Sequence, residues 1–171
     1  MKTTNVFLSI LIGIIFLTSC QKNSTTPLPT ITHTGNDMLA FKVNGNVVSM
    51  NNSFLSLITY YHANNDPVDI DGNMSSPLKC GVYLTFQCDT IGTYPISSIY
   101  PYGAGFVDNN NGTLTGNHQN TGFNTDSLHS GSVQVIYYTN SEIAGYFQFD
   151  AISNSGQIIH ITEGRFDLYR N

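Results

Sequence analysis

From Ile143 to Ile152 the chain alternates without a break. Ile143, Gly145, Phe147, Phe149 and Ala151 fall on one face, and Ala144, Tyr146, Gln148 and Asp150 on the other. A period of two places alternate side chains on opposite faces of an extended strand and suits no helix. Neighbouring segments continue the theme. Ser132 to Tyr138 reads as a strand closed by the turn Asn140-Ser141-Glu142, and Asn154-Ser155-Gly156 turns the alternating strand into Gln157 to Thr162. Glu163-Gly164 reads as a further turn into Arg165 to Tyr169. Four consecutive strands on such short connections predict an antiparallel meander at the C-terminus.

The remainder fits the same class. Leu39 to Val43 leads into Asn44-Gly45, the strongest short hairpin signal, and Asn46 to Met50 returns. Phe54 to Tyr61 is β-branched and aromatic; His62 to Pro77 reads as a long polar loop, and Leu78 to Cys88 as a strand. Pro95 argues for an edge position for Gly92 to Ile96. Ala104 to Thr115 reads as a hairpin around Asn109-Asn110-Asn111-Gly112, and from there to Ser130 no pattern is visible. About nine short strands without a helical period predict an all-β fold: an antiparallel β-sandwich, with a lipocalin-like barrel as the alternative. Only 10% of residues are charged, against roughly 25% in an average soluble domain. The net charge of −5 is accompanied by no basic cluster, so nucleic acid has no electrostatic footprint to follow.

The N-terminus gives an address. Lys2 precedes an apolar run, Val6 to Leu17, interrupted only by Ser9 and Gly13. A basic start, a short apolar core and small residues before a cut describe a secretory signal over residues 1–19, too short for a comfortable membrane span. Leu17-Thr18-Ser19-Cys20 resembles the lipobox of bacterial lipoproteins. The resemblance implies cleavage before Cys20, lipidation of that residue and attachment to a membrane through the lipid. Residues 21–37 are rich in Thr, Ser, Asn and Pro with no apolar period, so residues 20–37 are expected to be a lipidated, flexible tether and 38–171 the domain.

Two cysteines remain, Cys80 and Cys88, in a compartment where disulfides form. Eight extended steps separate them by about 26 Å, whereas a bridge needs Cα atoms within about 7 Å. Sharing parity with Val82, Leu84 and Phe86, they read as buried free thiols; a disulfide requires a bend near Gly81 or Asp89.

Candidate chemistry is sparse. Asp66, Asp69, Asp71 and Asn73 supply alternating oxygen ligands in the long loop, the manner in which calcium loops are built. EF-hand spacing fails, because with Gly72 as the turn glycine the first ligand is Pro67 and the last Leu78. Calcium is thus the one cofactor to consider, against a solvated polar loop. Glu142 and Glu163 are the only glutamates and both fall at turns; Asp150 and Asp167 read as outward residues of alternating strands. No paired-carboxylate, nucleophile-elbow, phosphate-loop or redox motif stands out, and the five histidines form no H-x-H or H-x-x-x-H pair. A non-catalytic protein is expected. Ten tyrosines without tryptophan offer aromatic, hydrogen-bonding surface of the kind glycan-binding modules use. Tyr94, Tyr100, Tyr102 and Phe106, in a segment read as loop, are the candidate platform, against ordinary sheet packing.

Phe41-Lys42-Val43-Asn44-Gly45 at one end, and Gly145 to Ala151 with Ile161-Thr162-Glu163-Gly164-Arg165-Phe166-Asp167-Leu168 at the other, resemble an uncharacterised group of Bacteroidota lipoproteins. The resemblance implies a β-sandwich-like module without an assigned activity and offers no catalytic residues. In such lipoproteins acidic residues after the lipidated cysteine favour surface display; Gln21-Lys22-Asn23-Ser24 has none, which leaves the outer membrane's two sides open. Asp89-Thr90-Ile91 and Asp126-Ser127-Leu128 resemble the Asp-(Ser/Thr)-apolar sites of Bacteroidota O-glycosylation, implying Thr90 and Ser127 as acceptors. The expected protein is a lipid-anchored envelope module, structural or binding a glycan or another envelope protein, with a carrier of a small apolar ligand as the alternative.

Overall fold

The computed structural model describes residues 27–51, 53, 56–61, 67–75, 79–96, 102–108 and 122–169. Cys20, Asp66, Tyr100, the signal segment and the expected hairpin tip 109–112 lie outside the described residues. Eleven strands form one antiparallel sheet: β1 (Met38–Val43), β2 (Asn46–Asn51), β3 (Ser56–Tyr61), β4 (Val68–Met74), β5 (Cys80–Phe86), β6 (Gly92–Ile96), β7 (Gly103–Asp108), β8 (Phe123–Asn124), β9 (Gly131–Tyr138), β10 (Glu142–Ser153) and β11 (Ile158–Tyr169). The sheet curls on itself, and so combines features of the sandwich and the barrel. One half runs β6-β9-β10-β11-β1-β2 and the other β8-β7-β5-β4-β3. They join where the far end of β10 leaves β9 and pairs Ile152 and Ser153 with Asn124 and Phe123 of β8.

The opening hairpin forms as expected. Asn44 and Gly45 adopt φ of 47° and 84°, the two left-handed positions of a turn whose twist matches its strands. Among the described residues Gly92–Ile96 pairs with β9 alone, so Pro95 occupies the edge position its missing N–H favours.

Two expectations are corrected. The loop expected from His62 to Pro77 contains β4, where Val68, Ile70, Gly72 and Met74 face inward and Asp69, Asp71 and Asn73 outward. Its polar half is a solvent-side row, not a loop composition. Glu163-Gly164 is no turn either; β11 passes through it while staying paired to β1 and β10. Glu163, at φ 52°, inserts one extra residue, a bulge that bends the strand without ending it. The C-terminal meander therefore has three strands, two of them twelve residues long.

Side chains fill the space between the halves. Phe41 of β1 meets Phe106 of β7 edge-on at 6.2 Å and Phe147 of β10 at 6.0 Å. A Cβ added to Gly72 would stand 2.5 Å from Leu39 Cδ2 and 2.8 Å from Met50 Sδ, so β1 and β2 press directly on β4. Cys80 and Cys88 belong to this core as free thiols, in agreement with the spacing argument.

Candidate functional site

The outer face of β9, β10 and β11 carries a polar surface with two depressions. Register sets its rows. Tyr146 lies opposite Gln134 on one side and Arg165 on the other, and Asp150 opposite His160. Gln148 lies opposite Ser132 on β9 and faces the β11 bulge, where Thr162 and Glu163 together oppose one residue. A second bulge in β9, at Ile136, shifts the register between Ala144 and Gly145. Bulges raise local twist and redirect side chains, and the face between these two is hollowed. One depression of about 230 Å³ is lined by Ser132, Gln134, Tyr146, Gln148 and Glu163, with Phe147 and Gly164 beneath. Another of about 260 Å³ is lined by Ser130, Gln148, Asp150 and Thr162 among others. Gln148 borders both, so they form one groove.

Both carboxylates at this groove hold a side-chain partner. Glu163 Oε1 accepts from Lys42 Nζ at 2.5 Å, and Asp150 Oδ1 meets His160 Nδ1 at 2.7 Å. Among the described residues, the side chains of Ser132, Gln134, Tyr146 and Gln148 take no hydrogen-bond partner within the protein. Tyr146 is 41% exposed.

Beside the groove, the expected tether folds back onto the sheet. Asp167 Oδ2 accepts from Thr32 N–H at 3.0 Å, Thr32 Oγ1 at 2.8 Å and Thr34 N–H at 3.4 Å, while Oδ1 accepts from Gly35 N–H at 2.9 Å. Left-handed His33, Gly35 and Asp37 kink the strap so that these N–H groups converge on one carboxylate. Gly35 is required twice over, by its φ of 61° and because a Cβ would stand 2.9 Å from the Tyr169 ring. Arg165 Nη1 donates to the Pro29 carbonyl at 2.9 Å, His33 stacks on Tyr137 at 5.3 Å, and Tyr169 N–H donates to Asp37. Asp167 is 1% exposed. Burial raises its pKa, but the Thr32 hydroxyl and the N–H groups of Thr32, Gly35 and Thr34 outweigh that and hold it below the ordinary aspartate value. Residues of the expected tether from Pro29 to Asp37 thus pack against the sheet, and Asp167, expected as outward surface, is buried.

The other sequence candidates scatter. Asp69, Asp71 and Asn73 stand two residues apart on one extended strand, about 6.6 Å per pair, which spreads ligands where a calcium loop wraps them. Asp69 already accepts from Thr85 Oγ1 at 2.7 Å. Among the described residues no three His, Cys, Asp or Glu come together, and these donors do not fit a calcium loop. The aromatic platform does not assemble among its described members. Phe106 is a core residue at 7% exposure, placed inward by the alternation of β7. Tyr94 packs on Phe86 and donates to the Thr90 carbonyl at 2.6 Å, and Tyr102 donates to Gln87 at 3.1 Å. Thr90 and Ser127 are both exposed, in bends. Each precedes a strongly exposed apolar residue, Ile91 at 59% and Leu128 at 85%. Asp126 shapes the second bend by accepting from the N–H groups of Leu128 and His129.

Comparison with protein-family models, curated proteins and solved structures returned no match.

The groove was within reach of the sequence only in part. The alternation names Tyr146, Gln148 and Asp150 as outward, but the bulges at Ile136 and Glu163, which bring Gln134 and Glu163 beside them, leave no periodic signal.

Proposed function

We propose that this protein is a lipid-anchored, non-catalytic binding module of the bacterial cell envelope, held by a lipid on Cys20 and presenting the outer face of β9–β11 to its partner. The observation that carries the reading is the groove, where four hydrogen-bonding side chains stand without partners among the described residues while the nearby carboxylates of Glu163 and Asp150 are already engaged by Lys42 and His160. The basic, apolar and small-residue pattern ending at Cys20 supports the anchor, and the likeness to Bacteroidota lipoproteins supports an outer-membrane address. A core filled by Phe41, Phe106, Phe147 and Phe166 supports binding on the outside rather than carriage within. The carboxylates of Asp69, Glu163 and Asp167 each hold a structural partner, which supports a role without catalysis.

Detergent phase partition of membranes from expressing cells tests the anchor. The native chain is expected in the detergent phase and Cys20→Ser in the aqueous phase. A Cys20→Ser chain that stays with detergent overturns the anchor.

The exposed bends at Thr90 and Ser127 favour a second modification. Intact-mass analysis from the native host is expected to show glycan additions lost in the Thr90→Ala, Ser127→Ala double variant. An unmodified mass would refute it.

A further inference from the structure

The geometry of the groove points to a neutral polysaccharide strand as its ligand, bound across Gln134, Tyr146 and Gln148 with Ser132 and Asp150 at its margins. This inference rests on the binding-module reading and names the chemistry of the partner.

Three features select that class. First, the lining offers no cluster of charge to a polymer: Glu163 is paired with Lys42, Asp150 is hydrogen-bonded to His160, and Arg165 beyond Tyr146 is turned to the Pro29 carbonyl, so nothing here selects an anionic or cationic chain. Second, the unpartnered groups are amides, a hydroxyl and a phenol. Gln134 and Gln148 each offer two donors and an acceptor, matching ligands whose hydroxyls both donate and accept. Tyr146 adds a partly exposed ring on which the C–H face of a sugar can lie, with its phenol free to hydrogen-bond. Third, the site is elongated. Tyr146, Gln148 and Asp150 are outward neighbours along β10, spanning about 13 Å at the rise of a strand. The two depressions meet at Gln148, which suits consecutive rings of a chain better than a single compact molecule.

Affinity electrophoresis of the full chain in detergent, through gels cast with galactomannan, xyloglucan, α-mannan or laminarin, tests the proposal, with anionic polygalacturonate as the contrasting gel. Retardation is expected with at least one neutral polymer, weakened about tenfold in apparent affinity by Tyr146→Ala and by Gln134→Ala with Gln148→Ala. Thermal melts of these exposed-residue variants, expected unchanged, separate lost binding from lost fold. Tyr102→Phe, which alters the platform expected from sequence, should leave retardation intact. The proposal is overturned by free migration in all four neutral gels, by retardation in polygalacturonate alone, or by retardation that the Tyr146 and glutamine variants leave untouched. Failure here with Cys20→Ser still shifting phase would remove the ligand and keep the anchored module; failure of that shift with sugar binding intact would do the reverse.

Discussion

Asp167 shows how much one buried carboxylate organises. Its four short contacts convert a stretch of Thr, Pro and Asn, without any apolar period, into part of the fold. Hydrogen bonds to a charged acceptor contribute about 1.5–3 kcal/mol each at most, with less on balance when several share one group. Asp167→Asn keeps one acceptor oxygen but turns an amide N–H₂ toward an N–H donor, so it is expected to cost about 2–3 kcal/mol, read as a fall in melting temperature. The pH dependence has a definite sign. The folded-state pKa lies below the ordinary value of 3.8. The stabilisation is therefore complete above that value and lost as pH falls through the folded pKa. Melting temperature scanned from neutral into acid should drop more steeply for the native chain than for Asp167→Asn; parallel curves would show that the strap contributes nothing through this group. No sequence pattern reveals such a contact, because the two partners are more than 130 positions apart.

Strand β11 carries the comparable lesson for an element. Its halves, Gln157 to Thr162 and Arg165 to Tyr169, were legible from their alternation, and so was the irregularity between them. The pattern reads that irregularity as a reversal of the chain, whereas the strand only bends there. Continuous pairing with β1 on one side and β10 on the other decides for the bend. Left-handed φ costs a non-glycine residue about 1 kcal/mol, while the Lys42–Glu163 pair, half exposed, contributes about 0.2–1 kcal/mol. Glu163→Gly should therefore leave stability unchanged or raise it by up to about 0.8 kcal/mol, whereas β-branched Glu163→Val should cost about 1–2 kcal/mol. Urea denaturation of the two variants gives the comparison, and equal losses would mean the bulge is not held by its backbone. The strand β4 was missed for the opposite reason. Asp69, Asp71, Gly72 and Asn73 are poor strand formers singly, yet Val68, Ile70 and Met74 alternate with them and the core claims that face.

At the scale of the molecule, the all-β class and its antiparallel order were readable from period and turn chemistry alone, while the closure of the sheet was not. Closure depends on β8, a two-residue strand that bridges β7 and β10. The interior that results is inaccessible to reagents. Cys80 and Cys88 are 4% and 0% exposed, and burial, aided by Asp108, pushes the Cys80 thiol up to about 11. In a Cys20→Ser chain, neither thiol should react with an aromatic disulfide at neutral pH until denaturant unfolds the sheet, when both should titrate together. Reaction of one thiol under native conditions would reveal local opening near it. The pairing of β1 with β11 also governs timing. Met38 finds its register partner in Asp167, and the strap before it waits on that same residue. A chain emerging from its N-terminus can pair β1 with β2 at once, but the strap and the other edge of β1 lack their partners until β11 appears. Loop closure over that separation is slow, since nearly the whole chain must be gathered first. The sheet therefore seals only once β11 has been made, and until then the strap and one edge of β1 stay open for that strand.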